Sequence, residues 1–263
     1  MIYINNKEKL NIFKDIIEKE EYFVITDFDR TLTTHASDPS MGIIPNYLGG
    51  ECKERRTKIF KKYRPIELDY TLEPDEKKKL MRKWAEDSFL LLSEYVSEDV
   101  VKKSLINANL HLREGTKILL EYLNSKSIPV VVMSSGIGNI VEGFLEKENC
   151  LLDNVYLVSN FFEFENGKTK IDLSRIMATS NKEYDRIPVD IRNKIEKRKN
   201  CILFGDLVED LRMINEDKIE NVLKVGFLDE NIETNLEAFN NSFDIVITND
   251  GDFNDIIKIL KEE

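Results

Sequence analysis

At 263 residues the chain is long enough to bury a sizeable core, as one large domain or a domain with an insertion. With 41% hydrophobic and 33% charged residues it has the composition of a folded globular protein, which excludes an extended disordered chain. A formal net charge of -11 argues against general binding to nucleic acid or anionic lipid, which needs a basic surface. A small anionic substrate stays open, because a metal ion and one lysine reverse the sign locally.

Three widely spaced cysteines, Cys52, Cys150 and Cys201, show no paired ligand spacing and read as reduced, mostly buried thiols. The first residues carry early charges and no long apolar segment, and no window reaches membrane-spanning length. A cytoplasmic protein without a signal peptide or membrane contact is therefore expected.

In chain order, residues 8–20 place Leu10, Ile12, Phe13, Ile16 and Ile17 at helical spacing, an amphipathic helix whose stripe is core packing. Residues 22–26 (YFVIT) form an apolar run suited to a strand buried on both faces of a parallel sheet. Asp27 and Asp29 leave that strand with one residue between them. Carboxylates so close repel each other, so a fold that keeps both charged supplies a cation or gives each a separate task. Helix capping is the bland alternative for either aspartate alone, but Asp-Phe-Asp followed by Thr-Leu-Thr favours a catalytic pair. Residues 35–50, with Pro39, Gly42, Pro45, Gly49 and Gly50, read as a loop leading into an insertion.

From 51 to 108 the pattern is helical and highly charged. Pro74 with Asp75 and Glu76, and Ser97 with Glu98 and Asp99, mark helix starts, and the Lys and Arg runs read as solvated helix faces. Helices with no strand among them indicate an inserted all-helical cap domain, residues 39–111, within an α/β core made of 1–38 and 112–263. After it come a helix over 113–125, a strand over 128–133, a helix over 140–148 and a strand over 155–159. A hairpin turns at Asn166-Gly167, and further strands cover 202–204, 222–228 and 243–248. Six strands alternating with helices predict a doubly wound, mostly parallel, Rossmann-like sheet, with ligands beyond the carboxyl ends of the strands.

Polar clusters fall at those ends. Ser134 and Ser135 close the second strand in a loop whose glycines let backbone N–H groups face an anion, or else form a plain turn. Asp206 and Asp210, four apart after Gly205, come within reach of each other if a helix begins near Leu207; first-turn helix acids are the alternative. Among so many lysines, Lys182 is unremarkable by composition. Gly251-Asp252-Phe253-Asn254-Asp255 imitates a carboxylate pair but reads as the cap of a final helix over 256–263. Trp84 reads first as packing, and His35 and His111 as incidental.

Taken together, DFDRTLT, YRPIELDYTL with KWAEDS, LREG, MSSGIGNIVE, VYLVSNFFEFENG, GDLVEDLRM and VLKVGFL resemble the haloacid dehalogenase superfamily, and within it the cytosolic pyrimidine 5'-nucleotidases. The resemblance implies a magnesium-dependent hydrolysis of CMP or UMP. Asp27 would be nucleophile and metal ligand, and Asp29 general acid and base with its backbone carbonyl on the metal. Ser134, the backbone at Ser135 and Lys182 would hold the phosphoryl group. Asp206 would bind Mg2+ directly with Asp210 supporting its water shell, and Glu67 and Ser88 would contact the nucleoside. Ala85 and Phe89 depart from the family pattern, which leaves base preference open. A phosphatase for another small ester, phosphoserine-like or a sugar phosphate, is the alternative.

Overall fold

The computed structural model describes residues 1–261. Its centre is a seven-stranded sheet. The chain begins with β1 (Ile2–Ile4) and α1 (Lys7–Glu18), then enters β2 (Tyr22–Thr26), whose five residues are all buried. Four helices follow before the next strand: α2 (Ser40–Leu48), α3 (Gly50–Glu67), α4 (Pro74–Ser93) and α5 (Glu98–Ser104). Then α6 (Thr116–Ser125), β3 (Val130–Ile137), α7 (Gly138–Lys147) and β4 (Val155–Asn160) restore the alternation. A separate hairpin of β5 (Glu163–Glu165) and β6 (Lys168–Lys170) precedes α8 (Val189–Ile195). The chain ends with β7 (Asn200–Gly205), β8 (Asn221–Leu228), α9 (Ile232–Ser242), β9 (Ile245–Thr248) and α10 (Phe253–Lys261).

The strand order is β1-β9-β8-β7-β2-β3-β4, parallel throughout except at the β1–β9 edge. From β2 the chain builds outward through β3 and β4, then crosses back to β7, β8 and β9. The order therefore reverses beside β2, where open α/β sheets bind ligands. The alternation of β2 serves both faces: Tyr22 and Val24 join the cluster holding Leu10, Phe13 and Leu120, while Phe23 and Ile25 join Ile191, Ile195 and Phe239. Each such side chain contributes roughly 1.5–3 kcal/mol by leaving water.

The doubly wound expectation holds, with four corrections. Three residues suffice for the edge strand β1 because they pair with β9; so short a run carries no period to read. Half of the expected 35–50 loop is the helix α2, driven by burial of Ile43, Ile44 and Pro45 despite the proline. The strand expected over 128–133 continues to Ile137 through a register irregularity after Met133, so Ser134 and Ser135 lie within it. After β7 the chain makes a 3-10 stretch, Val208–Met213, not an α-helix.

The hairpin turns as expected, with Asn166 and Gly167 both at positive φ (50° and 72°). Asp252 accepts from Asp255 N at 3.0 Å and so caps α10. The last two residues of the final helix expected there lie outside the described residues. The three cysteines are free and buried. No helix among the described residues is long and apolar enough to cross a membrane.

The inserted helices do not share one packing environment. Ile43 and Ile44 of α2, Phe89 and Leu92 of α4 and Val101 of α5 belong to the same apolar cluster as the sheet. Where α3 and α4 pair, Tyr63 and Met81 pack instead in a small cluster with Ala178 from the segment before α8.

Candidate active site

The site is built on the carboxyl ends of β2, β3 and β7. Between the two aspartates, Phe28 is fully buried and meets Phe144 edge-on at 6.0 Å, which anchors the loop and leaves Asp27 and Asp29 on its open side. The Lys182 ammonium, 1% exposed, lies 2.5 Å from Asp27 Oδ1 and also pairs with Asp210. Burial opposes its charge, but Asp210 and Asp27 outweigh that and hold its pKa above the ordinary lysine value. Asp210 Oδ2 accepts from the backbone N–H groups of Asp206 and Leu207, both at 3.0 Å. That closeness needs Gly205, where a Cβ would stand 2.6 Å from the Asp210 side chain.

One carboxylate oxygen each from Asp27, Asp206 and Asp210 lies within 4.8 Å of the others. Burial raises the Asp27 pKa to about 7, and burial together with Asp27 and Asp210 raises that of Asp206 well above the usual carboxylate range. Lys182 pairs with two of these carboxyls, and repulsion among the three contributes to both raised pKa values. All-oxygen donors of this kind fit a hard divalent cation such as Mg2+.

Asp29 turns the other way. Its Oδ1 accepts from Ser40 N at 2.7 Å and its Oδ2 from Ser40 Oγ at 2.6 Å, tying the proton-transfer candidate to the first turn of α2. Burial raises its pKa, and the two Ser40 bonds oppose the rise. A Cβ on Gly136 would stand 1.8 Å from Ser40 Oγ, so glycine is what admits this contact. Beside it, Ser134 is buried with its Oγ accepting from Gly136 N at 3.1 Å, and Ser135 lines the cavity just before the N-terminus of α7. Asn160, at the end of β4, donates to Ser135 O at 2.9 Å and Met177 O at 2.8 Å. It also accepts from Met177 N at 2.7 Å, which fixes the Lys182-bearing segment against the end of β3.

Above this floor are two adjoining cavities. One, of about 90 Å³, is lined by Asp27, Asp29, Ser135, Lys182 and Asp206 below and by Arg56 and Glu67 above. The other, of about 60 Å³, shares Arg56, Glu67 and Ser135 and adds Trp84, Ala85, Ser88 and Phe89. Glu67 is 4% exposed, and its Oε2 takes the Arg64 guanidinium, which also bridges to Glu230 after β8. Ser88 is 1% exposed and its hydroxyl has no hydrogen-bond partner. Trp84 stacks on Tyr63 (6.0 Å, 12°) as well as lining the cavity, and Phe89 packs on Phe162 at 5.5 Å.

The structure thus brings Asp27, Lys182, Asp206 and Asp210 into contact range. It sets Ser135 and Asp29 beside them and Glu67 and Ser88 across the cavity. The Asp29 side chain stands outside the carboxylate trio, and Asp210, expected one layer out, stands within it. The reading of the Lys and Arg runs as solvated needs correction: Arg56 and Lys77 are buried, and Arg64 is mostly so. The signal lay in spacing, since the buried residues of α3 (Cys52, Arg56, Tyr63, Glu67) are four, seven and four apart, one helical face. Ser40 and Asn160 had no such signal.

The pyrimidine 5'-nucleotidase (UMPH-1) family model matches residues 27–262. The 7-methylguanosine phosphate-specific 5'-nucleotidase of Rattus norvegicus is 31% identical over 242 residues, 86% of this chain and 79% of that protein. The crystal structure of cytosolic 5'-nucleotidase IIIB bound to cytidine superposes with a TM-score of 0.83 at 26% identity, covering 99% of this chain and 92% of that one. A substrate-bound phosphoserine phosphatase, at 20% identity and a TM-score of 0.57 over 90% and 96% of the two chains, shares the fold.

Proposed function

The chain belongs to the pyrimidine 5'-nucleotidase (UMPH-1) family, and from that membership we propose that it is a magnesium-dependent enzyme hydrolysing the pyrimidine nucleoside monophosphates CMP and UMP through an aspartyl-phosphate. The observation that carries the reading is the Lys182 ammonium held between Asp27 and Asp210 at the sheet's end, under a cavity that continues to Trp84, Glu67 and Ser88.

Asp27 attacks phosphorus, and the bond from phosphorus to the nucleoside 5'-oxygen breaks. Asp29, whose raised pKa favours the protonated form, gives its proton to that oxygen. It then takes a proton from the water that cleaves the aspartyl-phosphate, which releases phosphate and restores Asp27. Lys182, Ser134 and the Ser135 backbone hold the phosphoryl oxygens through the transfer. Asp27, Asp206 and the Asp29 carbonyl would hold Mg2+ with support from Asp210; when bound, the ion neutralises phosphate charge and fixes its orientation. Residues 39–111 act as a helical cap that excludes bulk water and reads the base, over a core of 1–38 and 112–263. Glu67 accepts from a base amino group and Ser88 bonds the nucleoside. Nucleic acid polymers and membranes are not partners, and the site of action is cytoplasmic.

A second reading, 7-methylguanosine monophosphate as substrate, is favoured by the specificity of the rat relative. The deciding assay is phosphate release with Mg2+ from CMP, UMP, 7-methylguanosine monophosphate, phosphoserine and a sugar phosphate. CMP or UMP should lead, and Asp27→Asn should abolish turnover. A lead for the methylated purine nucleotide replaces the pyrimidine reading, and a lead for phosphoserine or the sugar ester, or no turnover at all, overturns the nucleotidase assignment.

A further inference from the structure

Arg56 is 7% exposed, and it lines both cavities of the site. The guanidinium lies over the Phe60 ring, 5.3 Å from the centroid, and its Nε has no hydrogen-bond partner. No carboxylate among the described residues is within ion-pair range of it. Burying an unpaired cation is costly, so a structural arginine at this depth is normally paired. Arg113 shows the ordinary solution, at 1% exposure and with Asp229 and three backbone carbonyls around its head group.

The neighbourhood sets the sign of what Arg56 accepts. Burial pulls its pKa down to about 10, which leaves it a cation at neutral pH, and Glu67 supports that charge more than Asp29 does. Glu67, however, is already engaged by Arg64. The upper cavity therefore holds one guanidinium more than its acids neutralise, beside the unpartnered Ser88 hydroxyl and the Trp84 ring. Such a wall offers donors to a carbonyl oxygen and repels a positive charge at low local dielectric. N7-methylation places a positive charge on guanine and removes its N7 acceptor.

We propose that Arg56 is a specificity-determining residue that hydrogen-bonds a carbonyl oxygen of an uncharged base and disfavours a cationic, N7-methylated purine. The inference rests on the nucleotidase reading of the same cavity and names the chemical class of base it takes.

Calorimetric titration with cytidine, uridine and 7-methylguanosine, without phosphate or metal, reads the base contact by itself. Arg56→Leu is expected to weaken cytidine and uridine by roughly tenfold or more, the worth of a hydrogen bond to a charged group. It should also raise the relative affinity for 7-methylguanosine by a similar factor. Arg56→Lys keeps the charge and should keep the discrimination against the methylated base. The melting temperature of Arg56→Leu should equal or exceed the parent's, because an unpaired buried charge is removed.

Unchanged affinities in Arg56→Leu, no nucleoside binding by the parent, or a lower melting temperature with all binding lost would each overturn the proposal. So would a loss in kcat/KM for p-nitrophenyl phosphate as large as that for CMP, which would assign Arg56 to the phosphate. If the parent binds cytidine through Arg56 yet hydrolyses no nucleotide, the hydrolase reading fails and this one stands.

Discussion

At the ends of the strands nearly every charged group has an answer within the protein, whereas the helical wall opposite keeps polar groups unanswered. Lys182 is clamped by two carboxylates, Asp210 takes two backbone N–H groups, and Arg113 holds the carbonyls of Arg30, Thr31 and Gly251 together with Asp229. Across the cavity, Arg56 Nε and Ser88 Oγ are buried without partners. The floor is held mainly by charge pairs made within the protein, although Asp210 Oδ1, Thr31 Oγ1 and Arg30 Nε are also buried there without hydrogen-bond partners. Substitutions in the floor should therefore damage stability and rate together, and substitutions in the wall should alter selectivity.

The largest effect is expected at Lys182. Lys182→Met leaves Asp27 and Asp210 facing each other without their cation, and turnover should fall by about 10²–10³-fold or more in a steady-state assay. Urea unfolding should show a loss of about 3–5 kcal/mol, as when one partner of a buried pair is removed. Arg113→Leu should cost a similar amount of stability, since it strands Asp229 and three loop carbonyls. If Arg113→Leu and Arg56→Leu gave the same change in unfolding free energy, the contrast between floor and wall would collapse.

Smaller effects fall where floor and wall meet, at Ser40. Gly136→Ala must displace Ser40 Oγ from Asp29 and should lower kcat by about 10²-fold, the range of one general acid–base contribution. Ser40→Ala removes only the hydroxyl bond. Because that bond favours the ionised form of Asp29, its loss raises the carboxyl pKa further, and the alkaline limb of the kcat profile should move to higher pH.

The smallest expected signal is in stability without metal. Asp27 has its pKa raised by burial to about 7, so the stability it contributes is present below its unfolded value and is lost as pH rises through about 7. Thermal melts in EDTA should decline over that window and flatten in Asp27→Asn. An equal decline in the variant would assign the pH dependence to other groups.

Much of the floor was legible because its residues follow strands, and strands announce themselves: the YFVIT run led directly to Asp27, and the Gly205 turn to Asp206 and Asp210. Lys182 could be placed only through the family resemblance, since nothing in its own segment sets it apart from the other lysines. The wall was harder. Arg56 and Lys77 sit in charged stretches whose composition says solvent, and only the four-and-seven spacing with Cys52, Tyr63 and Met81 says otherwise. Contacts made by single side chains across long loops, such as Ser40 on Asp29 and Asn160 on Met177, carry no local pattern at all.

The cavity itself sets a condition on traffic. Its two adjoining compartments, about 90 and 60 Å³, are walled by α3 and α4, so a wider opening means moving those helices from the floor. Lifting them would break the pairs of Arg64 with Glu230, Lys77 with Glu209 at 2.5 Å and Lys78 with Glu183 at 2.6 Å, and also the packing of Phe89 and Leu92 in the sheet's apolar cluster. Salt screens the exposed Lys78 pair far more than the buried Lys77 pair. Raised ionic strength should therefore loosen the Lys78–Glu183 pair first, and a steady-state assay against salt would show whether opening of these helices limits turnover.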